Sequence, residues 1–156
     1  IYQTLCNYLI CTTKNKIHTT MASLTATLTL SSTDVSSDAL SFSVTDTASV
    51  VAPIENVARI VAATSGGDSA DNSAKIILPN VNANRYVYIK HLGLNSAGGD
   101  SGADQVKIET ADDTQIMLLS KGEFAFFPYY DGNASFLQIQ ASANTVQVEY
   151  AYFTRS

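Results

Sequence analysis

The sequence contains few residues of the types that form disulfides, bend the backbone or carry charge. It has no tryptophan, three prolines and two cysteines, and charged residues make up 15% of it. Both cysteines, Cys6 and Cys11, lie within the first twenty residues, so the remainder offers no disulfide and no thiolate ligands for zinc. No segment approaches the roughly 20 apolar residues of a membrane helix. The 156 residues suffice for one domain held together by burial of apolar side chains.

The first twenty residues differ in composition from everything after them. They hold both cysteines and no acidic residue, and the first methionine follows at Met21. This break predicts that translation starts at Met21 and that residues 1–20 are an extraneous leader, with a genuine N-terminal arm as the alternative. The apolar piece Leu5–Cys11 is too short for a signal peptide and lacks a preceding basic residue. The predicted domain therefore spans residues 21–156.

The charge of this domain restricts its partners. Two of the nine Lys and Arg residues, Lys14 and Lys16, precede Met21, whereas all 14 acidic residues follow it, which leaves the domain with a formal charge of −7. Such a surface repels phosphate backbones and anionic lipid. Nucleic acid and membranes are therefore not expected as partners.

Alternation of apolar and polar residues with a period of two predicts β-strands along most of the chain. Over residues 23–30 apolar side chains alternate with Ser and Thr, and the same pattern returns over 40–45. Each of these two strands therefore has an apolar face and a hydroxyl face. Further strands are predicted over 48–52, 57–64, 75–78, 85–94, 106–110 and 116–119. Segment 57–64 is ambiguous, and a strand is favoured over a short helix because its β-branched residues lie between turn signals.

The stretch from Gly122 to Phe153 shows the alternation most clearly. It contains strand patterns over 123–127, 137–142 and 145–153, and Pro128 is expected to end the first because it cannot donate to a ladder. We expect these three strands to form two consecutive hairpins with a shared central strand. The whole pattern predicts an all-β fold with little or no helix: an antiparallel, jelly-roll-like β-sandwich of nine or ten short strands.

The acidic loops suggest calcium as a possible cofactor, and no other cofactor is predicted. Asp68 and Asp71 lie in one glycine-containing loop, and Asp100 and Asp104 lie in another. Oxygen ligands spaced closely on a loop can supply part of a calcium shell. Neither loop has the regular acidic spacing of a hand-type calcium loop, and solvated turns explain the same residues.

An aromatic turn is the candidate contact for a ligand or partner. Tyr129, Tyr130 and Asp131 follow Pro128, and tyrosines beside carboxylates can hold a sugar ring or anchor an interface. The alternative is a turn whose tyrosines pack over the end of the sandwich. Near the C-terminal end, Tyr150, Tyr152 and Phe153 are too apolar for a free terminus, and we expect them to be buried in the core or between subunits.

Catalytic patterns are weak, and no catalytic residue is assigned. His91 is the single histidine after residue 20 and lies in a predicted strand with no acidic neighbour in sequence. A histidine in this position is usually a packed or surface residue rather than a base. There is no Gly-x-Ser-x-Gly elbow and no phosphate-binding Gly-Lys-Ser/Thr ending. A hydrolase that uses paired carboxylates is the weakest of the functions considered.

Three segments carry a resemblance to a known class of proteins. They are Tyr88–Asn95, Leu119–Pro128 and Ala143–Phe153, and they belong to the order strand, glycine-rich loop, strand, Gly-Glu-aromatic strand, closing hairpin. In this order the chain resembles the small all-β virion proteins of tailed bacteriophages, which decorate capsids or form parts of tails and fibres. The resemblance implies a non-enzymatic capsid decoration protein located in the virion, with capsid or tail proteins as partners. A receptor- or glycan-binding module of a tail is the alternative.

Exposed strand edges are the reason to expect self-association. The edges of a sandwich have to be covered or paired, and a closed oligomer of identical chains does so. We therefore expect a homo-oligomer.

Overall fold

The computed structural model describes residues 20–34, 39–52, 56–64, 75–78, 82–130, 132 and 136–156. These residues form ten β-strands and no helix, as predicted. The strands are β1 (Thr20–Ser32), β2 (Leu40–Ala52), β3 (Asn56–Ala63), β4 (Lys75–Leu78), β5 (Asn84–His91), β6 (Val106–Thr110), β7 (Gln115–Leu119), β8 (Phe124–Tyr130), β9 (Leu137–Ala141) and β10 (Thr145–Thr154). The leader predicted over residues 1–20 lies outside the described residues except for Thr20, which begins β1.

Eight of the strands form two four-stranded antiparallel sheets. Sheet I has the order β3-β10-β5-β8, and sheet II has the order β4-β9-β6-β7. Strands from the two halves of the chain pair in a nested series: β3 with β10, β4 with β9, β5 with β8 and β6 with β7. The chain thus follows the path of one long hairpin, folded so that its arms alternate between the two sheets. The predicted antiparallel sandwich is confirmed.

The core lies between the inner faces of the two sheets. In sheet I, Val87 and Ile89 of β5 and Val148 of β10 are at most 1% exposed, and Ile108 and Leu137 of sheet II are fully buried in the same cluster. Each such side chain contributes about 1.5–3 kcal/mol by leaving water. The two-residue alternation predicted for β5 and β10 therefore selects the buried face correctly.

Strands β1 and β2 form a separate hairpin, which we call the arm. They pair in register over 13 residues each, from Thr20↔Ala52 to Ser32↔Leu40, which corresponds to about 40 Å of extended chain. The base of the arm joins the body beyond the end of β10, where Val50 bridges to Arg155. There the backbone N–H of Ser156 also donates to the carbonyl oxygen of Ser49 at 3.2 Å.

The two faces of the arm differ in polarity, as the sequence predicts. On one face, hydroxyl groups pair across the strands, Thr25 with Thr47 at 3.3 Å and Thr27 with Thr45 at 3.0 Å. On the other face, Leu28 lies opposite Val44 and Leu30 lies opposite Phe42. This apolar face is not buried as the alternation led us to expect: Leu28, Leu30, Phe42 and Val44 are 48% to 64% exposed.

Three local expectations are wrong. Strands β8, β9 and β10 are not two consecutive hairpins, because β9 belongs to sheet II whereas β8 and β10 belong to sheet I. Strand β8 continues through Pro128 to Tyr130, since it is an edge strand and a missing N–H there costs no bond on the open side. Residues 40–45 and 48–52 form one strand, β2, because Asp46 keeps its place in the ladder opposite Ala26.

Two other local predictions are confirmed. Residues 57–64 are extended rather than helical, since β3 covers Asn56–Ala63. Gly93, near the end of the predicted strand 85–94, indicates from sequence either a bulge or a close neighbour, and the structure has a close neighbour, because a Cβ built there would lie 2.9 Å from Cγ of Lys121. Its φ of +75° is a second reason for glycine at this position.

Candidate functional site

His91 has a structural environment at the end of β5. Its ring is fully buried, its Nδ1 accepts the backbone N–H of Gly93 at 2.9 Å, and its Nε2 lies 2.9 Å from the carbonyl oxygen of Asp104. Because Nδ1 is an acceptor, the neutral ring carries its proton on Nε2 and donates to Asp104. His91 thus fastens both ends of the loop 93–104, which fits the packed role predicted for it.

The oxygen atoms of the calcium candidates in this loop have other partners. Asp100 accepts from Nζ of Lys121 at 2.6 Å and from the N–H of Gly102 at 2.8 Å, and these contacts hold the pKa of Asp100 below its ordinary value. Asp104 accepts from Nδ2 of Asn144 at 3.1 Å. Within the described ranges no group of three or more His, Cys, Asp or Glu side chains is placed to hold a metal ion. Asp68 and Asp71 lie outside these ranges.

The two tyrosines of the predicted aromatic turn point to opposite faces of β8. Tyr129 packs against the core, with its ring 6.4 Å from that of Phe127 in an edge-on arrangement. Tyr130 is 57% exposed, and its hydroxyl donates to Oδ1 of Asn82 at 2.7 Å. Asp131 lies outside the described residues. The structure therefore separates the two side chains that the sequence placed in one contact.

The aromatic residues near the C-terminal end are divided between the core and the opposite face of sheet I. Tyr150 and Tyr152 are buried, and the guanidinium carbon of the buried Arg85 lies 4.8 Å from the centre of the Tyr152 ring. Phe153 is half-buried and faces the other way, towards the arm.

An apolar groove of about 900 Å³ separates the arm from the outer face of sheet I. The arm supplies one wall, formed by Leu24, Ala26, Leu28, Val44 and Asp46. Sheet I supplies the other, and its main side chains there are Tyr88, Phe124, Phe126, Ala151 and Phe153. Both walls are thus predominantly apolar, although they face open space rather than the core. Phe124 and Phe126 remain 59% and 39% exposed.

Tyr86 fixes the position of the arm over the sheet. Its hydroxyl donates to Oδ2 of Asp46 at 3.2 Å, in the middle of β2. Its ring stacks on Phe126 with centroids 5.4 Å apart and an interplanar angle of 6°, and the guanidinium of Arg155 lies 5.1 Å from the ring centre. The arm is therefore held at its base and at Asp46. The residue pairs that follow Leu28 and Val44 continue from there to the tip of the arm.

The polar groups beside the groove are tied to one another. The hydroxyl of Tyr88 lies 3.5 Å from Oε1 of Glu149, whose Oε2 accepts from Arg59 at 3.1 Å. Burial raises the pKa of Tyr88, and the negative charge of Glu149 raises it further. Tyr88 is therefore a neutral group at ordinary pH, and the guanidinium of Arg59 is paired with Glu149.

Sequence reasoning missed this groove and the exposed arm. The alternation of residues 23–30 and 40–45 was visible, but a burial partner was assumed for each apolar face. The signal that could have found the arm is charge: residues 20–52 contain no basic residue and only three acids, Asp34, Asp38 and Asp46. Two adjacent strand patterns with so few charged residues set this part of the chain apart from the strands that follow.

Comparison with protein-family models, with curated proteins and with solved structures found no match. None of the described segments forms a helix that is long and apolar enough to cross a membrane.

Proposed function

We propose that this chain is a non-enzymatic structural component of a virus particle, a decoration protein on the capsid of a tailed bacteriophage. Its partners are the capsid proteins of the same particle and further copies of itself. The observation that carries this proposal is the nested pairing of eight strands, β3 with β10 through β6 with β7, joined to a long arm with one apolar face.

The strand order supports a jelly roll. Eight strands arranged as β3-β10-β5-β8 against β4-β9-β6-β7 have the order obtained by folding one long hairpin into two sheets. Jelly rolls are frequent in viral capsid proteins and in lectins. A fold is associated with many functions and does not by itself identify a reaction. The arm and the groove are therefore needed as further support for the proposed function.

The contacts of the polar side chains support a structural role. His91, Asp100 and Glu149 are each engaged with backbone or with a neighbouring side chain that shapes a loop or a sheet. The groove between the arm and sheet I is lined mainly by apolar side chains, and such surfaces mark sites of protein association. A subunit that occurs in many copies on a shell needs this kind of surface more than it needs a reactive pocket.

The direct test is the location of the protein. Virions of the phage whose genome carries the gene are purified on a density gradient, and the protein is quantified against the major capsid subunit by mass spectrometry. We expect a fixed ratio to the capsid subunit and antibody labelling over the shell. Absence from purified virions would overturn the proposal, and labelling confined to the tail would favour the alternative below.

The alternative is a receptor- or glycan-binding module of a tail. It is favoured by Tyr130, an exposed aromatic ring on edge strand β8 whose hydroxyl is held by Asn82. A glycan array tests it, with Tyr130→Ala as the variant and Phe124→Ala, another exposed aromatic of the same strand, as the control. Binding that Tyr130→Ala removes and Phe124→Ala leaves unchanged supports this function.

A further inference from the structure

We propose that the outer face of sheet II docks a segment of a partner protein through an arginine that pairs with Glu109. The proposal gives the chemistry of one partner contact within the proposed function and rests on that function to this extent. Its test uses purified protein and synthetic peptides, so it can fail while the protein is still found on virions, and the reverse.

The pairing register defines this surface, which we call the Glu109 face. Side chains opposite one another on neighbouring strands share a face of the sheet. Ile76, Gln138, Glu109 and Gln115 form one row across the four strands, and Lys107 and Leu118 lie in the next row. The residues that alternate with Lys107 and Glu109 along β6 are buried in the core, so the Glu109 face is the side of sheet II that points away from sheet I.

Glu109 lacks the partners that a buried carboxylate normally has. It is 6% exposed, and within the described part of the chain neither of its oxygens has a hydrogen bond or an ion pair. The amide nitrogen of Gln138, directly across the strands, donates instead to the carbonyl oxygen of Thr110 at 3.2 Å and to Oδ1 of Asp113 at 2.7 Å. A charge left unpaired in such a position is costly, so a donor from another molecule would stabilise it.

The local charge and access both suit a cationic group. Neither oxygen of Glu109 is fully enclosed by protein. Lys107 is close enough to act on Glu109 electrostatically, but the carboxylate of Asp113 acts on it as well, so these three side chains together remain negative. The formal charge of −7 after residue 20 attracts a basic partner in the same sense.

Two features favour arginine as this cation. Both oxygens of Glu109 lack a donor, and the planar fork of a guanidinium donates to both oxygens of one carboxylate. Leu118, which is 41% exposed, is a diagonal neighbour of Glu109 across β6 and β7, and the alkyl chain of an arginine packs well on such a side chain. A divalent metal ion is disfavoured, because the described residues contain no group of three or more acidic or histidine side chains around such a site.

The apolar residues of the Glu109 face fit a protein segment better than free arginine. Ile76, at the other end of the row, is 53% exposed. Two exposed aliphatic side chains beside a central unpaired carboxylate resemble an interface in which a buried arginine is surrounded by apolar contacts. We therefore expect the arginine to be flanked by apolar residues.

Peptide titration tests the contact. The isotope-labelled chain is titrated with acetyl-Ser-Leu-Arg-Leu-Ser-amide at neutral pH and physiological ionic strength, and backbone amide shifts are followed by NMR. A matched peptide carries citrulline in place of arginine, which keeps the shape of the side chain and removes its charge. The protein variants are Glu109→Gln and, as the control, Glu123→Gln, which removes an exposed carboxylate in the turn before β8.

We expect the arginine peptide to give saturable shifts in β6, β7 and β9 at millimolar concentration. Glu109→Gln should weaken binding by about 10-fold or more, because the charge-assisted hydrogen bonds are lost. Glu123→Gln should change it by less than about 2-fold. Circular dichroism checks that both variants keep their β-structure, so that weaker binding is not caused by unfolding.

Three results would each overturn the proposal. The first is the absence of saturable shifts with the arginine peptide. The second is equal binding of the citrulline peptide, which would show that the contact is apolar only. The third is an equal effect of the two variants, which would show that the peptide responds to the net charge of the chain rather than to Glu109.

Discussion

Glu109 is a buried carboxylate whose surroundings disfavour its charged form. It lies on β6, is 6% exposed and has Gln138 of β9 opposite it. Burial raises the pKa of Glu109 above its ordinary value of 4.5, Lys107 partly offsets the rise and Asp113 adds to it. The folded state therefore holds this proton more tightly than the unfolded state does. The contribution of Glu109 to stability falls as the pH rises from 4.5 through the raised pKa.

Glu109→Gln should accordingly stabilise the protein at neutral pH. We expect the Tm to rise by about 1 to 3 °C at pH 7, because ~1 kcal/mol moves the Tm of a domain of this size by about 2–4 °C. The gain should shrink as the pH is lowered and be absent below the ordinary pKa of glutamate. Thermal unfolding of both proteins from acid to neutral pH measures it. An equal gain at every pH would show that the charge of Glu109 is not its cause.

His91 illustrates the opposite case, a buried polar side chain with both partners in place. His91→Phe keeps a ring at the site but leaves the N–H of Gly93 and the carbonyl of Asp104 without their 2.9 Å partners. Each unsatisfied group costs about 1–3 kcal/mol, so we expect a loss of roughly 2–6 kcal/mol in the free energy of unfolding. Urea titration measures it, with Lys90→Gln as the control on the same strand. A loss no larger than that of the control would contradict the role given to His91.

At the scale of single elements, the arm depends on one tyrosine for its position. Tyr86→Ala removes the hydrogen bond to Asp46, the stack on Phe126 and the contact with Arg155 together. We expect faster amide exchange in β1 and β2 and nearly unchanged exchange in β9, which hydrogen-exchange mass spectrometry resolves. Tyr130→Ala is the control, because Tyr130 is another exposed tyrosine of the same sheet and its hydroxyl bonds Asn82. Equal acceleration in both variants would mean that Tyr86 does not hold the arm.

The same elements show what the sequence could and could not predict. Alternation identifies which side chains share a face, and Val146, Val148, Tyr150 and Tyr152 of β10 are all buried as predicted. The alternation carries no information on which strands pair with one another in a sheet. Residues 142–144 link β9 to β10 as if for a hairpin, yet Asn144 at φ +46° leads the chain into the other sheet.

The groove could not be predicted from the sequence for a related reason. The pattern of residues 123–127 predicted a strand, and that of residues 23–30 predicted another strand with an apolar face. Which of these faces the body would cover depends on the pairing of strands distant in sequence, such as β5 with β8. An apolar face that stays open is therefore indistinguishable in sequence from one that is buried.

At the scale of the whole molecule, the body and the arm are separable units. Every strand of sheets I and II pairs with another strand of these sheets, so the nested series is complete without β1 and β2. The arm adds Val50, which is 5% exposed, and the contacts of Tyr86 with Asp46. Losing Val50 from a buried site costs about 1.5–3 kcal/mol, which is a fraction of the stability of a typical domain.

A chain of residues 54–156 should therefore fold without the arm. We expect a β-type circular dichroism spectrum, a cooperative thermal transition at a lower Tm than that of the full chain, and a monomer in solution. The full chain with Leu30→Glu is the control, since it keeps the arm and its base contacts but carries a charge at the tip. If the shortened chain shows no cooperative transition while the control unfolds normally, the arm is part of the folding unit, and the nested series of eight strands is not sufficient to hold the two sheets together.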